Sequence, residues 1–165
     1  YQARATAFAW PLGWPSIKHI QMGKSMNKAP KWFLAVAFIA LLWNVLGCMA
    51  FFADLQISPQ DVAKLTPAQQ TLYNARAGWA VAATALAVFG GAAGCIGLLL
   101  RKKWAFLLLS LSVVGVLAQD FGLFVLVDGA ALAGTVAVAL QLLVLTIAVG
   151  LVLLSRLASS RGWLA

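Results

Sequence analysis

The sequence predicts an all-α integral membrane protein, a four-helix bundle with a short helical outer loop. Three observations carry that prediction. Hydrophobic residues make up 63% of the 165 residues and charged residues only 10%, against about 45–50% and about 25% in soluble domains. Four apolar runs are long enough to cross a bilayer, which takes roughly 17–25 residues. The charges stand in short clusters beside those runs. This composition excludes a soluble enzyme, a disordered tail and a disulfide-stapled secreted module.

The runs cover about 32–53, 79–100, 104–127 and 136–154. No lipid-exposed segment can leave its backbone unpaired, so each is read as a helix, and together they make residues 28–165 one transmembrane domain. The third run is interrupted by Gln119 and Asp120. Tryptophans mark the span ends at Trp32, Trp79, Trp104 and Trp163, where the indole prefers the headgroup layer.

Charge placement sets the expected orientation. The chain has twelve Lys+Arg, a net charge of +8, and four acids, Asp54, Asp61, Asp120 and Asp128, with no Glu. Arg4, Lys18, Lys24, Lys28 and Lys31 precede the first span, Arg101, Lys102 and Lys103 join the second to the third, and Arg156 and Arg161 follow the fourth. The other side carries only Lys64 and Arg76, beside acids. The positive-inside rule therefore puts both termini in the cytoplasm. The same distribution argues against a nucleic-acid partner, because the bases follow topology rather than a binding stripe.

Residues 1–27 form a basic N-terminal segment. It lacks the apolar core of about 7–15 residues of a signal peptide. Residues 1–21 are expected to be a non-native extension, with a natural start at Met22 or Met26. His19, the sole histidine, is expected to be solvated. The outer loop, 54–78, holds Ser58-Pro59-Gln60-Asp61 and Thr66-Pro67-Ala68-Gln69. Both read as capping boxes with proline at the first helical position, which predicts short helices over about 59–65 and 67–76. They would form either a packed connector or a lid over an outward-facing site. Lys-Trp at 31–32 and again at 103–104 suggests a doubled helical hairpin, although any four-span chain with basic inner ends gives a similar pattern.

Small residues mark helix contacts in lipid. The second span carries Ala83, Ala87, Gly90, Gly94 and Gly97 on one face, predicting either packing within the bundle or a homo-oligomer surface. Comparable faces direct Asn44, Gln119 and Gln141 inward, roughly 8–14 Å below the outer helix ends. With Asp120 they form the candidate polar cluster, either an interhelical clasp or the wall of a polar cavity. Asp120 is expected within the outer third of the membrane, either protonated, hydrogen-bonded to Asn44 or Gln141, or reached by outside water, or else as an interfacial carboxylate closing the helix. Cys48 and Cys95 differ in depth by roughly 15 Å and read as packing residues. No nucleophile–base set, metal-ligand cluster or nucleotide fingerprint is legible, so no catalytic residue, cofactor or metal is assigned and the chain is not read as an enzyme.

Lys31-Trp32, Ala40-Leu41-Leu42-Trp43-Asn44, Leu72-Tyr73, Ala87-Val88-Phe89-Gly90-Gly91 with Gly94-Cys95, Leu99 to Ala105, Gln119 and the closing Gly162-Trp163-Leu164 occur in order. Over about residues 28–164 this pattern resembles a group of small bacterial four-span membrane proteins, some of them automatically labelled sugar transporters. The resemblance implies a bacterial inner-membrane location and includes Asn44 and Gln119 among its motifs. Two functions are expected from the sequence: a small-solute, sugar-like transporter or permease-like protein of unknown cargo, or a non-catalytic membrane subunit of a larger complex.

Overall fold

The computed structural model describes residues 28–165. The basic segment 1–27, with His19 and the expected extension, lies outside the described residues. Six helices follow one another: α1 (Lys31–Leu55), α2 (Pro59–Val62), α3 (Pro67–Ala75), α4 (Gly78–Leu99), α5 (Ala105–Asp120, continued by a π-helical stretch Phe121–Leu126) and α6 (Gly129–Ser160). Four of these elements are long and apolar enough to cross a membrane. At 1.5 Å per residue, the 25 residues of α1 extend about 37 Å, beyond the roughly 30 Å of hydrocarbon.

The exposure pattern is inside-out. Ile39, Met49, Val136 and Leu142 are among the most exposed residues, whereas the buried set includes Ala37, Ala83, Ala87, Ala105 and Ala158. Water would penalise such a surface and lipid does not, so the helices associate through close backbone approach rather than apolar expulsion. This makes the chain a membrane protein with an all-α, four-helix architecture.

The tightest contact is between α4 and α5. A Cβ on Gly115 would lie 2.6 Å from the Ala87 amide nitrogen and 2.7 Å from the Ala83 carbonyl oxygen. The Ser112 hydroxyl donates to the Ala87 carbonyl across the same contact (2.6 Å). The stripe of Gly90, Gly94 and Gly97 meets Ser112, Leu109 and the Trp104–Ala105 pair respectively. That face is therefore filled by α5 of the same chain, and it is not open as a surface for a second copy.

From this central pair, α1 packs on α4 and α6 packs on α5, while α1 and α6 do not pack closely on each other. The core lies toward the basic end, where Phe33, Cys95, Leu98, Leu109, Leu151 and Ala158 meet. Trp163 belongs to it. It is 9% exposed, with its ring 5.8 Å from Trp32 and 5.5 Å from Phe33. Unlike Trp32, Trp79 and Trp104, which stay substantially exposed, it packs the bundle instead of sitting in the headgroup layer.

The basic end is closed by backbone bonds. α4 and α6 both end in Schellman geometry: Lys102 N–H bonds Gly97 O (2.8 Å) and Trp163 N–H bonds Ala158 O (2.9 Å). Glycine supplies the left-handed residue in one case (Gly162, φ 71°), but Arg101 adopts φ 58° in the other, which costs a non-glycine residue about 1 kcal/mol or more. Neighbouring bonds hold it there. Arg101 Nε donates to the Trp163 carbonyl (2.9 Å), Ala165 N–H to Arg101 O (2.7 Å), and Lys103 N–H to Ala165 O (3.0 Å).

Two spans depart from expectation. The third does not remain α-helical: it widens into a π-helix after Asp120, where Gly122 sits against the Trp79 ring. The fourth begins at Gly129 rather than at 136, and its first turn is separated from the rest by Gly134 at φ 78°, ψ 173°. Essentially only glycine adopts that backbone conformation. Both expected loop helices start where predicted, with complete capping boxes, but the first ends at Val62 rather than at about 65. Ser58 Oγ accepts from Asp61 N–H (3.2 Å), and Thr66 N–H donates to Gln69 Oε1 (3.0 Å).

Candidate functional site

Because α1 and α6 stand apart, a cleft of about 300 Å³ is left between them, backed by α4 and α5. Trp43, Leu46 and Ala50 line it from α1, Val88 and Gly91 from α4, Leu109 and Val116 from α5, and Val144, Ile147 and Leu151 from α6. Its polar lining consists of Asn44, Thr84, Ser112 and Gln119, and no ionisable acid or base lines it.

Each polar side chain is held by its own neighbourhood. Asn44 Nδ2 donates to Ala40 O one turn back (2.8 Å) and to Cys95 Sγ on α4 (3.7 Å). Its Oδ1 lies where a Cβ on Gly91 would be, and the Ser112 hydroxyl is 3.2 Å from that same point. A side chain at 91 would therefore fill the place the amide occupies. Thr84 donates to the Ala80 carbonyl (3.0 Å), a back-bond typical of hydroxyl residues within helices.

A second cavity of about 210 Å³ lies toward the acidic end, between α3, α4 and the π-helical stretch. Leu72 and Ala75 wall it from α3, Arg76 from the residue that follows α3, and Trp79, Gly122 and Leu126 from the spans. Thr84 and Gln119 line both cavities and form the wall they share. α3 packs on α6, and Arg76 makes a half-buried ion pair with Asp54 at the end of α1. The Arg76 guanidinium also lies 5.2 Å from the centre of the Tyr73 ring. The outer loop thus roofs the second cavity, fastened at one end by an ion pair.

The four residues of the expected polar cluster do not form one group. Asn44 and Gln119 line the large cleft, but at different depths. Asn44 lies against Gly91, beside Ser112, and Gln119 is seven residues further along α5, about 10 Å nearer the acidic end. Asp120 and Gln141 line neither cavity. Gln141 Nε2 donates to Asp120 Oδ1. Asp120 therefore links α5 to α6 through Gln141, while the Asn44 amide bonds Ala40 and Cys95 instead. Twist separates the sets, because adjacent helical residues point about 100° apart. Residues 119 and 120 consequently serve different neighbours.

Thr84, Ser112 and Cys95 are site residues that sequence reasoning did not assign. The signal for Ser112 lies in the small-residue face it shares with Gly115. Nothing in the spacing pairs Cys95 with Asn44, because that contact depends on the offset of α1 against α4. Among the described residues, no group of three or more His, Cys, Asp or Glu is placed to hold a metal ion.

No family model, no curated protein and no solved structure matches this chain. The chemistry of the cleft is therefore read from its own atoms.

Proposed function

We propose that this is a permease-like protein of a bacterial inner membrane that passes a small neutral solute, with both termini cytoplasmic. One observation carries the reading: two cavities lie in series from the acidic end toward the bundle centre, and they share the wall formed by Thr84 and Gln119. A neutral cargo fits a cleft whose lining has no charge, since an unpaired ion in such surroundings costs several kcal/mol. The motif resemblance to small bacterial four-span proteins, some labelled sugar transporters, supports the same class. A full hexose would need more polar partners than four side chains supply. The basic residues Lys31, Arg101, Lys102, Lys103 and Arg161 at one end, with Asp54, Asp61 and Asp128 at the other, support a cytoplasmic placement of the former.

The test is solute-driven swelling of proteoliposomes, using glycerol, butanediol and glucose. Flux of the smaller alcohols above that of protein-free vesicles is expected. Gln119→Phe, which fills the shared wall, should reduce it at least about tenfold, a barrier change of about 1.4 kcal/mol. Flux equal to empty vesicles for every solute refutes transport. A second reading, a non-catalytic subunit, draws on α6, which buries only Gly129, Leu151, Ser155 and Ala158 along 32 residues. A stoichiometric partner that co-purifies and covers α6 would favour it.

A further inference from the structure

Three polar side chains of the large cleft, Asn44, Thr84 and Ser112, have their donors already engaged within the protein; Gln119 and Trp43, which also line it, carry N–H groups as well. Both hydrogens of Asn44 Nδ2 go to Ala40 O and Cys95 Sγ. The single hydroxyl hydrogens of Thr84 and Ser112 go to the Ala80 and Ala87 carbonyls. What these three side chains still offer is acceptor capacity, namely the Asn44 carbonyl oxygen and the lone pairs of the two hydroxyls. Asn44 Oδ1 and Ser112 Oγ both lie close to Gly91, so two acceptors stand in the same part of the lining. Around them the walls are aliphatic or aromatic, and the cleft runs out between α1 and α6, which do not close on each other. Leu46 and Ala50 on α1 and Val144 and Ala148 on α6 line it on the two facing sides, within the apolar spans.

We propose that the large cleft binds a neutral, hydroxyl-bearing amphiphile that enters from the lipid between α1 and α6, its hydroxyl donating its one hydrogen to Asn44 Oδ1 or Ser112 Oγ. This rests on the reading of the cleft as the solute site and names the solute's chemical class. An anionic head is disfavoured there, because no cation lines the cleft and the hydrogens of Asn44, Thr84 and Ser112 are taken. An ether or alkane brings no hydrogen to either acceptor. Size agrees: about 300 Å³ corresponds to roughly ten water-sized groups, enough for a short chain and its head.

Trp43 stands beside Asn44 in the lining and reports occupancy. The wild-type protein in lipid vesicles is titrated with 6-bromohexan-1-ol, its methyl ether and 6-bromohexanoate at equal concentrations in the bilayer. Bromine quenching of Trp43 is read as the difference between wild type and Trp43→Phe. Saturable quenching by the alcohol is expected, at a half-saturating concentration about tenfold below that of the ether, the worth of one well-placed hydrogen bond. The carboxylate should quench only in proportion to collisions. Asn44→Leu should erase the preference for alcohol over ether; if that variant does not fold, the three probes on the wild type decide alone. Equal half-saturation for alcohol and ether overturns the proposal, as does tighter binding of the carboxylate. Absence of Trp43 quenching by all three probes also overturns it, because another chain or a resident lipid then fills the cleft. The assay reads binding and not flux. Saturable alcohol binding without swelling in the flux assay therefore supports this inference and defeats transport, and swelling with no alcohol preference does the reverse.

Discussion

Gly115→Ala tests whether the α4–α5 backbone approach holds the bundle together. The new methyl carbon would stand 2.6 Å from Ala87 N, 2.7 Å from Ala83 O and 3.0 Å from Ala87 Cα. All three are backbone atoms, so no side chain can rotate away. Restoring ordinary contact requires α4 and α5 to separate locally by about 1 Å, and a gap of that size forfeits a quarter to a half of the dispersion energy of the atoms it parts. It would also stretch the Ser112–Ala87 bond of 2.6 Å. Overpacking of this kind costs about 1–3 kcal/mol, and in lipid no apolar driving force compensates. Gly150 provides the control, because a Cβ there meets nothing within 4 Å. Gly150→Ala should be neutral or stabilising by up to about 1 kcal/mol through helix propensity. Both variants are unfolded in mixed micelles with increasing dodecyl sulfate and followed by far-ultraviolet circular dichroism. Gly115→Ala should unfold at clearly lower denaturant than wild type and Gly150→Ala should not. Equal midpoints for the two variants would refute the claim that close α4–α5 contact is the main source of stability.

Asp120→Ala removes the partner of the Gln141 amide and should destabilise by about 1–3 kcal/mol, the cost of an unmatched polar group. Spin labels on α5 and α6 should report a wider separation, and an unchanged distance distribution would count against Asp120 as the link. Trp163→Ala removes the ring packed on Trp32 and Phe33 and should cost about 3–5 kcal/mol, with faster hydrogen exchange at the start of α1; unaltered exchange there would contradict its core role. In the outer loop, the Ser58 hydroxyl first and the Lys64 ammonium second hold the exposed Asp61 carboxyl below its ordinary range. Its support for α2 is therefore complete above about pH 3.9 and is lost as pH falls through the lowered value. Amide shifts of residues 58–62 should move to coil values on acidification, whereas α3, capped by uncharged Thr66 and Gln69, should hold, and simultaneous loss of both would point to general unfolding.

Membrane residence, the four spans and both loop helices were legible in the primary structure because each depends on local composition. An apolar run of sufficient length has only one way to satisfy its backbone in lipid, and Ser58-Pro59 or Thr66-Pro67 with a side-chain acceptor three residues later closes its own cap. Clustered cations likewise mark one end without reference to packing. The tertiary structure alone decided which polar residues share a site. Asn44 reaches Cys95 and Gly91 because of how far α1 is offset along α4, and Gln119 parts company with Asp120 because α5 presents them to different neighbours. Trp163 becomes core rather than interface because Arg101 and Ala165 fasten the last residues across the basic end. The physical reason is that lipid fixes only whether a segment lies within it. Axial offset and rotation are set by steric fit between helices, and no single helix carries that information.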